Sequence, residues 1–228
     1  MPNWKLGRFG LLLASLVALL VLTPFSELVN LEVSRARVLY SFVLLAAIHS
    51  LRGDPWAFRT GLLLMVAALL TSWLTHQFDL APLVLADYAL TASFLGLTAA
   101  LILTNILTAD RVTIDTMLGG LCVYLLFGVL WVSLYSALEY VMPGSFEMEG
   151  TAVSALTESR PEAHRYPELL YFSFVTLTTL GYGDVVPTNS MARALATGEA
   201  ILGQVYLAVF VASLVGLHLA YRTRDSGP

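Results

Sequence analysis

The chain has 228 residues, 57% hydrophobic and only 12% charged, with a formal net charge of −4 and a mean hydropathy of +0.77. Soluble domains carry about 25% charged residues, so this composition argues against an ordinary soluble enzyme, a nucleic-acid binder and a disordered regulator. Lys5 is the only lysine, no basic run forms a nucleic-acid patch, and the single Cys122 rules out an intrachain disulfide or a cysteine metal cluster.

The apolar residues come in blocks. A bilayer core needs about 20 consecutive, mostly apolar residues per helix. The stretches between charges supply six candidate spans: 9–26, 38–51, 60–78, 88–109, 116–138 and 200–221. The first has a leader-like layout, with Lys5 and Arg8 before an apolar run. It lacks a small-x-small cleavage site and runs into Pro24 and Glu27, so a retained helix is expected. The second is short and extends toward Arg35 and Arg37. In the fourth, Ala92, Gly96 and Ala100 predict a small-residue packing seam. Asp87, His49 and His76 lie near span ends and read as interfacial polar groups.

Between the fifth and sixth spans, residues 142–165 are rich in Pro, Gly, Ser and Glu and predict an exposed loop. The apolar-aromatic stretch 166–177 is too short to cross a membrane and predicts a re-entrant helix. Pro167 suits its first turn and Glu168 its positive end. Lys5, Arg8, Arg52, Arg59, Arg111, Arg222 and Arg224 fall on one side of the six spans, against Arg35, Arg37, Arg160, Arg165 and Arg193 on the other. This bias puts the N-terminus in the cytoplasm.

The re-entrant helix runs into Thr176-Leu177-Thr178-Thr179-Leu180-Gly181-Tyr182-Gly183-Asp184. This resembles the selectivity filter of the potassium channel family, T-x-x-T-V-G-Y-G-D, with Leu180 where the family usually has Val or Ile. The resemblance covers about residues 115–221. It implies rings of carbonyls from Thr179, Leu180, Gly181 and Tyr182, plus the Thr179 hydroxyl, replacing the water shell of potassium. Gly181 and Gly183 permit the left-handed dihedrals such a loop needs, and Tyr182 braces it outward. Gly183, Asp184, Thr176, Tyr171 and Phe172 are expected to support the filter, with Tyr171 hydrogen-bonded to Asp184. Val175 stands where some bacterial relatives have a Glu, so a carboxylate pair with Asp184 is absent.

By the same resemblance, Gly203 is a gating hinge, balanced evenly against simple close packing. Gln204, Leu207, Val211 and Val215 share one face of the last span and would line the cavity. The family's pore needs four filter sequences and this chain has one, so a homotetramer is implied, with both termini cytoplasmic and the protein multi-pass in the cell membrane. The fourth span, 83–107, has no Arg or Lys, so a voltage sensor has no visible source of energy. Glu199 and His218 are candidate proton sensors, each weighed against a hydrogen-bonded or interfacial role.

The expected protein is an all-α membrane protein of six transmembrane helices, with a re-entrant pore helix and filter loop between the last two. Residues 1–110 form a four-helix domain resembling a voltage sensor in layout, and 111–228 the pore domain. The expected function is passive potassium-selective conduction, with no cofactor and potassium as the permeant ligand. Its partners would be three further copies and membrane lipid, with a separate regulatory partner left open. A poorly selective cation channel and a sensor or accessory subunit are the alternatives. An intramembrane enzyme lacks any supporting motif.

Overall fold

The computed structural model describes residues 9–28, 34–78, 80–109, 113–157 and 167–225. The elements are α1 (Gly10–Leu28), α2 (Ser34–Ser50), α3 (Pro55–Gln77), α4 (Ala81–Leu107), α5 (Ile114–Val141), β1 (Phe146–Met148), β2 (Thr151–Ala152), α6 (Val153–Thr157), α7 (Pro167–Leu177), β3 (Val185–Pro187) and α8 (Ser190–Asp225). Among the described residues, four helical stretches are long and apolar enough to cross a membrane: Pro55–Thr75, Ala81–Leu107, Ile114–Val141 and Ser190–Ser213. The chain is therefore a multi-pass, all-α membrane protein. The apolar parts of α1 and α2 are shorter.

Local chemistry sets the helix starts. Asp54 Oδ1 accepts from the Trp56 and Ala57 amides ahead of Pro55 in the first turn of α3. Thr113 and Thr116 form a reciprocal capping box at α5, and Asn189 Oδ1 accepts from the Ala192 amide at α8. The helices overrun the charge-bounded spans: α5 includes Asp115 and Glu139, and α8 includes Arg193 and Glu199. A charge interrupts an apolar composition but does not break a helix, because backbone hydrogen bonding is unaffected when the side chain finds a partner or water.

Two apolar clusters share α5. The larger joins Leu12, Leu16 and Leu19 of α1, Val43 and Ala47 of α2, Phe94, Leu95 and Ile102 of α4, and Cys122, Val123 and Leu126 of α5. The smaller joins Val132 and Tyr135 of α5 to Phe146, Val153, Leu169, Phe172, Val185 and Ala192. α1 and α4 thus dock on α5, with α2 packed on α1 and α3 on α4. The small-residue seam in α4 is only partly used. A Cβ on Gly96 would lie 3.3 Å from Leu130 Cδ1 of α5, whereas Ala100 is exposed. The buried strip of α4 instead runs along Thr91, Phe94, Leu95, Thr98, Ala99 and Ile102. Asp87 is buried rather than interfacial, and Thr71 Oγ1 donates to it at 3.4 Å.

Residues 142–157 of the predicted exposed loop form a folded cap, and 158–165 lie outside the described residues. β1 lies between β2 and β3, pairing antiparallel with each, and the β1–β3 register is Phe146↔Pro187, Glu147↔Val186, Met148↔Val185. Phe146 and Val153 are fully buried. Glu139, buried at the end of α5, accepts the amides of Gly144 (2.9 Å), Phe146 (3.0 Å) and Ser154 (3.1 Å). Composition predicted exposure, but two apolar anchors and one carboxylate collecting three N–H groups fold this stretch onto the helices.

Candidate functional site

α7 delivers the chain to the loop Thr178–Asp184. Its last turn stays hydrogen-bonded into that loop: the Thr178 amide donates to Phe174 O (3.0 Å) and the Thr179 amide to Thr176 O (2.9 Å). The Leu180 and Gly181 amides both turn back to Val175 O, at 2.9 and 3.3 Å. With these N–H groups committed to the pore helix, the loop's carbonyls are free to serve another side.

The backbone alternates in hand. Thr179, Gly181 and Gly183 have φ of 59°, 61° and 78°. An ordinary strand sends successive carbonyls to opposite sides, and alternating left- and right-handed residues cancel that reversal. The two glycines adopt these angles without a Cβ clash. Thr179 does not, at about 1–2 kcal/mol, and sequence reasoning missed it because it looked for left-handed positions only at glycine. The Thr179 hydroxyl donates to Thr178 O at 2.7 Å, and Gln204 Nε2 of α8 donates to Thr179 Oγ1 at 3.3 Å.

Tyr171 and Phe172 diverge. Tyr171 donates to Asp184 Oδ2 at 2.6 Å, as anticipated. That bond, with the Val185 amide, holds the Asp184 carboxyl below its usual range, and the same bond raises the Tyr171 hydroxyl to about 12. Phe172 faces away from the filter and meets Tyr135 and Phe146 edge-on or tilted, with ring centroids 5.3 Å apart in each case. Any support it gives the filter is through that cluster. Thr176 contributes its carbonyl to the Thr179 amide.

Side chains of Leu180 and Tyr182 stand 55% and 68% exposed. With Leu20, Thr23, Met148, Tyr171 and Phe174 they line a groove of about 540 Å³. On α8, Gln204, Leu207, Val211 and Val215 are exposed along one face. Gly203 is buried on another, where a Cβ would come within 2.4 Å of Leu177 O. Close packing against the pore helix is thus sufficient reason for a glycine there. Leu177 O also accepts from the Tyr124 hydroxyl at 3.1 Å. The His218 side chain lies outside the described residues.

Glu199, a candidate proton sensor, is fully buried on α8 against α5 and α7. The Tyr135 hydroxyl donates to its Oε2, and Ser173 Oγ lies 2.5 Å from its Oε1. Glycines notch α5 for these contacts. Phe174 fills the space beside Gly128 and Phe210 that beside Gly120, so a Cβ at either would collide. The Gly128 carbonyl accepts from Ser173 Oγ at 2.8 Å and the Gly120 carbonyl from Tyr206 at 2.6 Å. Neither notch was legible beforehand, since Ser173 and Tyr206 lie 45 and 86 residues from Gly128 and Gly120.

A short helix running into a loop of alternating hand, between two helices long enough to cross a membrane, has the layout of an ion-channel pore segment. Residues 112–217 match the ion channel family. The chain is 32% identical over 94 residues to two pore potassium channel a of Oryza sativa subsp. japonica, covering 41% of this chain and 22% of the relative. It is 45% identical over 58 residues to two-pore potassium channel 1 of Arabidopsis thaliana, covering 25% and 14%. It is 30% identical over 95 residues to two pore potassium channel c of Oryza sativa subsp. japonica, covering 42% and 17%. No solved structure matches the chain significantly. Residues 112–217 are thus similar to an ion channel domain, and the relatives matched over this part of the chain are named potassium channels. The chain spans about a fifth or less of the length of these relatives.

Proposed function

We propose that the protein conducts potassium selectively and passively across the cell membrane, through a pore formed by four copies. The observation that carries this reading is the every-second-residue positive φ at Thr179, Gly181 and Gly183, with the loop amides tied back to Val175 O. Four such loops would stack rings of carbonyls from Thr179, Leu180, Gly181 and Tyr182 around an axis, replacing the hydration shell of the ion. No cofactor enters this scheme, and potassium is the transported substrate. The negative C-terminal end of α7 favours a cation there, and Asp184 adds negative charge at the outer mouth.

The same geometry supports oligomerisation. One loop encloses nothing, and irregular backbone at membrane depth is tolerated only where it is buried in protein or lines a water-filled path. A neighbouring copy would fill the groove beside Leu180 and Tyr182. The exposed face of Gln204, Leu207, Val211 and Val215 would line the inner cavity. Residues 1–110 would form a membrane domain without gating charges and 111–228 the pore domain. The chain would cross six times, with both termini in the cytoplasm.

The test is the reversal potential of purified protein in a planar bilayer, with potassium on one side and sodium on the other. A value near the potassium equilibrium potential is expected. Robust current reversing near zero overturns selectivity, and an absence of current in a folded tetramer overturns conduction.

A further inference from the structure

Hydrogen counting behind the filter singles out Glu199. A hydroxyl has one proton to donate. The Gly128 carbonyl has none, so the 2.8 Å contact between Ser173 Oγ and Gly128 O uses the proton of Ser173. The same hydroxyl is also within donating distance of Glu199 Oε1, at 2.5 Å, so its one proton cannot serve both oxygens. Two oxygens at that distance without a proton between them repel. A protonated carboxyl supplies the second proton. Tyr135 completes the chain by donating its own proton to Oε2. Tyr135 O–H to Glu199, Glu199 O–H to Ser173, and Ser173 O–H to Gly128 then use every donor once.

We propose that Glu199 is a neutral carboxylic acid whose proton latches the inner helix to the pore helix and outer helix, and that loss of this proton disables the conducting filter. It is a positioning residue, acting through Ser173 on α7, six residues before Thr179. The inference rests on the channel reading for its effect on current, but its chemical core does not.

The surroundings leave a carboxylate without compensation. Glu199 is 0% exposed. Among the described residues, the titratable groups facing it are Tyr135 and Tyr124 of α5, and α7 presents the Ser173 hydroxyl. The basic residue nearest in sequence on α8, Arg193, is exposed and directs its Nε to Pro187 O at 3.2 Å. Glu139 of α5 is committed to three backbone amides. Asp184 of the filter mouth is committed to Tyr171 and Val185. Deprotonation would force Ser173 to turn its proton from Gly128 to Glu199, freeing one tie between α7 and α5. It would also place a charge in a fully buried site that offers hydroxyls but, among the described residues, no paired cation, which is costly.

The test compares wild type with Glu199→Gln, whose amide donates to Ser173 and accepts from Tyr135 but cannot titrate. Difference infrared spectroscopy of the two proteins in lipid at neutral pH reads the carbonyl stretch of a protonated carboxyl. That band is expected in wild type and missing in the variant. Its absence from wild type overturns the proposal whether or not the protein conducts. In bilayers, raising pH from neutral to alkaline is expected to lower wild-type potassium current roughly tenfold, the size of one buried hydrogen bond. Glu199→Gln should conduct with a flat alkaline profile. Equal profiles in the two proteins overturn the latch. A protonated carboxyl band without potassium current in either protein would instead count against the channel reading.

Discussion

The first four helices and the pore segment are built by different rules. α1 and α4 meet α5 largely through Leu, Val, Ala, Phe and Ile side chains. Around α7, contacts between elements are directional: Tyr124 to Leu177 O, Ser173 to Gly128 O, Tyr135 to Glu199, and Glu139 to three amides. Lipid tails are as apolar as leucine, so apolar contact alone specifies helix position weakly in a bilayer. A loop that must aim carbonyls needs position to a fraction of an ångström. The contrast teaches that polar contacts are concentrated where register matters.

That contrast can be broken by substituting glycines on either side of it. The largest effect is expected in the filter. Gly181→Ala or Gly183→Ala forces a Cβ onto φ of 61° or 78°, costing about 1–2 kcal/mol per position, repeated in every copy. Loss of selective current is expected, read as a collapsed reversal potential or silence in a tetramer of normal size. Retained selectivity would show that the alternating backbone is not the determinant.

Next comes Gly203→Ala, whose Cβ would meet the Leu177 backbone oxygen at 2.4 Å. Overpacking of this kind costs about 1–3 kcal/mol, and a lower Tm in detergent together with reduced current is expected. Gly96→Ala is its counterpart in the first half. There the Cβ meets only a flexible leucine methyl at 3.3 Å, so Tm should move little. Equal losses at both sites would erase the contrast.

Glu139→Gln sharpens it within the polar region. An amide has one oxygen, and the carboxylate serves three N–H groups through two. At least one buried donor loses its partner, at about 1–3 kcal/mol. A lower Tm is expected, with hydrogen exchange accelerated at Gly144, Phe146 or Ser154. Unchanged exchange at all three would remove Glu139 as the anchor of the cap.

The smallest effect concerns the exposed Tyr171–Asp184 pair. The Asp184 carboxyl is held below its ordinary range, so its contribution is present above that range and lost as pH falls through the lowered value. The Tyr171 hydroxyl is raised to about 12, so its contribution is complete below the ordinary tyrosine value and lost as pH rises through the raised one. The contact is therefore intact at neutral pH and weakens only in strong acid or strong alkali. Tyr171→Phe should shorten open-state lifetime at neutral pH and reduce the acid dependence. An unchanged lifetime would make the pair ornamental.

The sequence by itself determined the membrane class and the short helix with Pro167 in its first turn, which follow from composition and length along one segment. The Tyr171–Asp184 contact was expected from the resemblance to the potassium channel filter. The sequence also marked Gly181 and Gly183 as left-handed, since glycine alone adopts that backbone freely. Only the tertiary structure decided that Thr179 shares the left-handed region, that α5 is notched at Gly120 and Gly128, and that residues 142–157 fold into a cap. It also decided the fate of Glu199, whose partner Tyr135 lies 64 residues away in the chain. A carboxyl inside an apolar helix reads the same in sequence whether it faces lipid, a cavity or a hydroxyl. Its chemistry is set by which donors and acceptors the packed helices bring within hydrogen-bonding distance, and no local pattern encodes that.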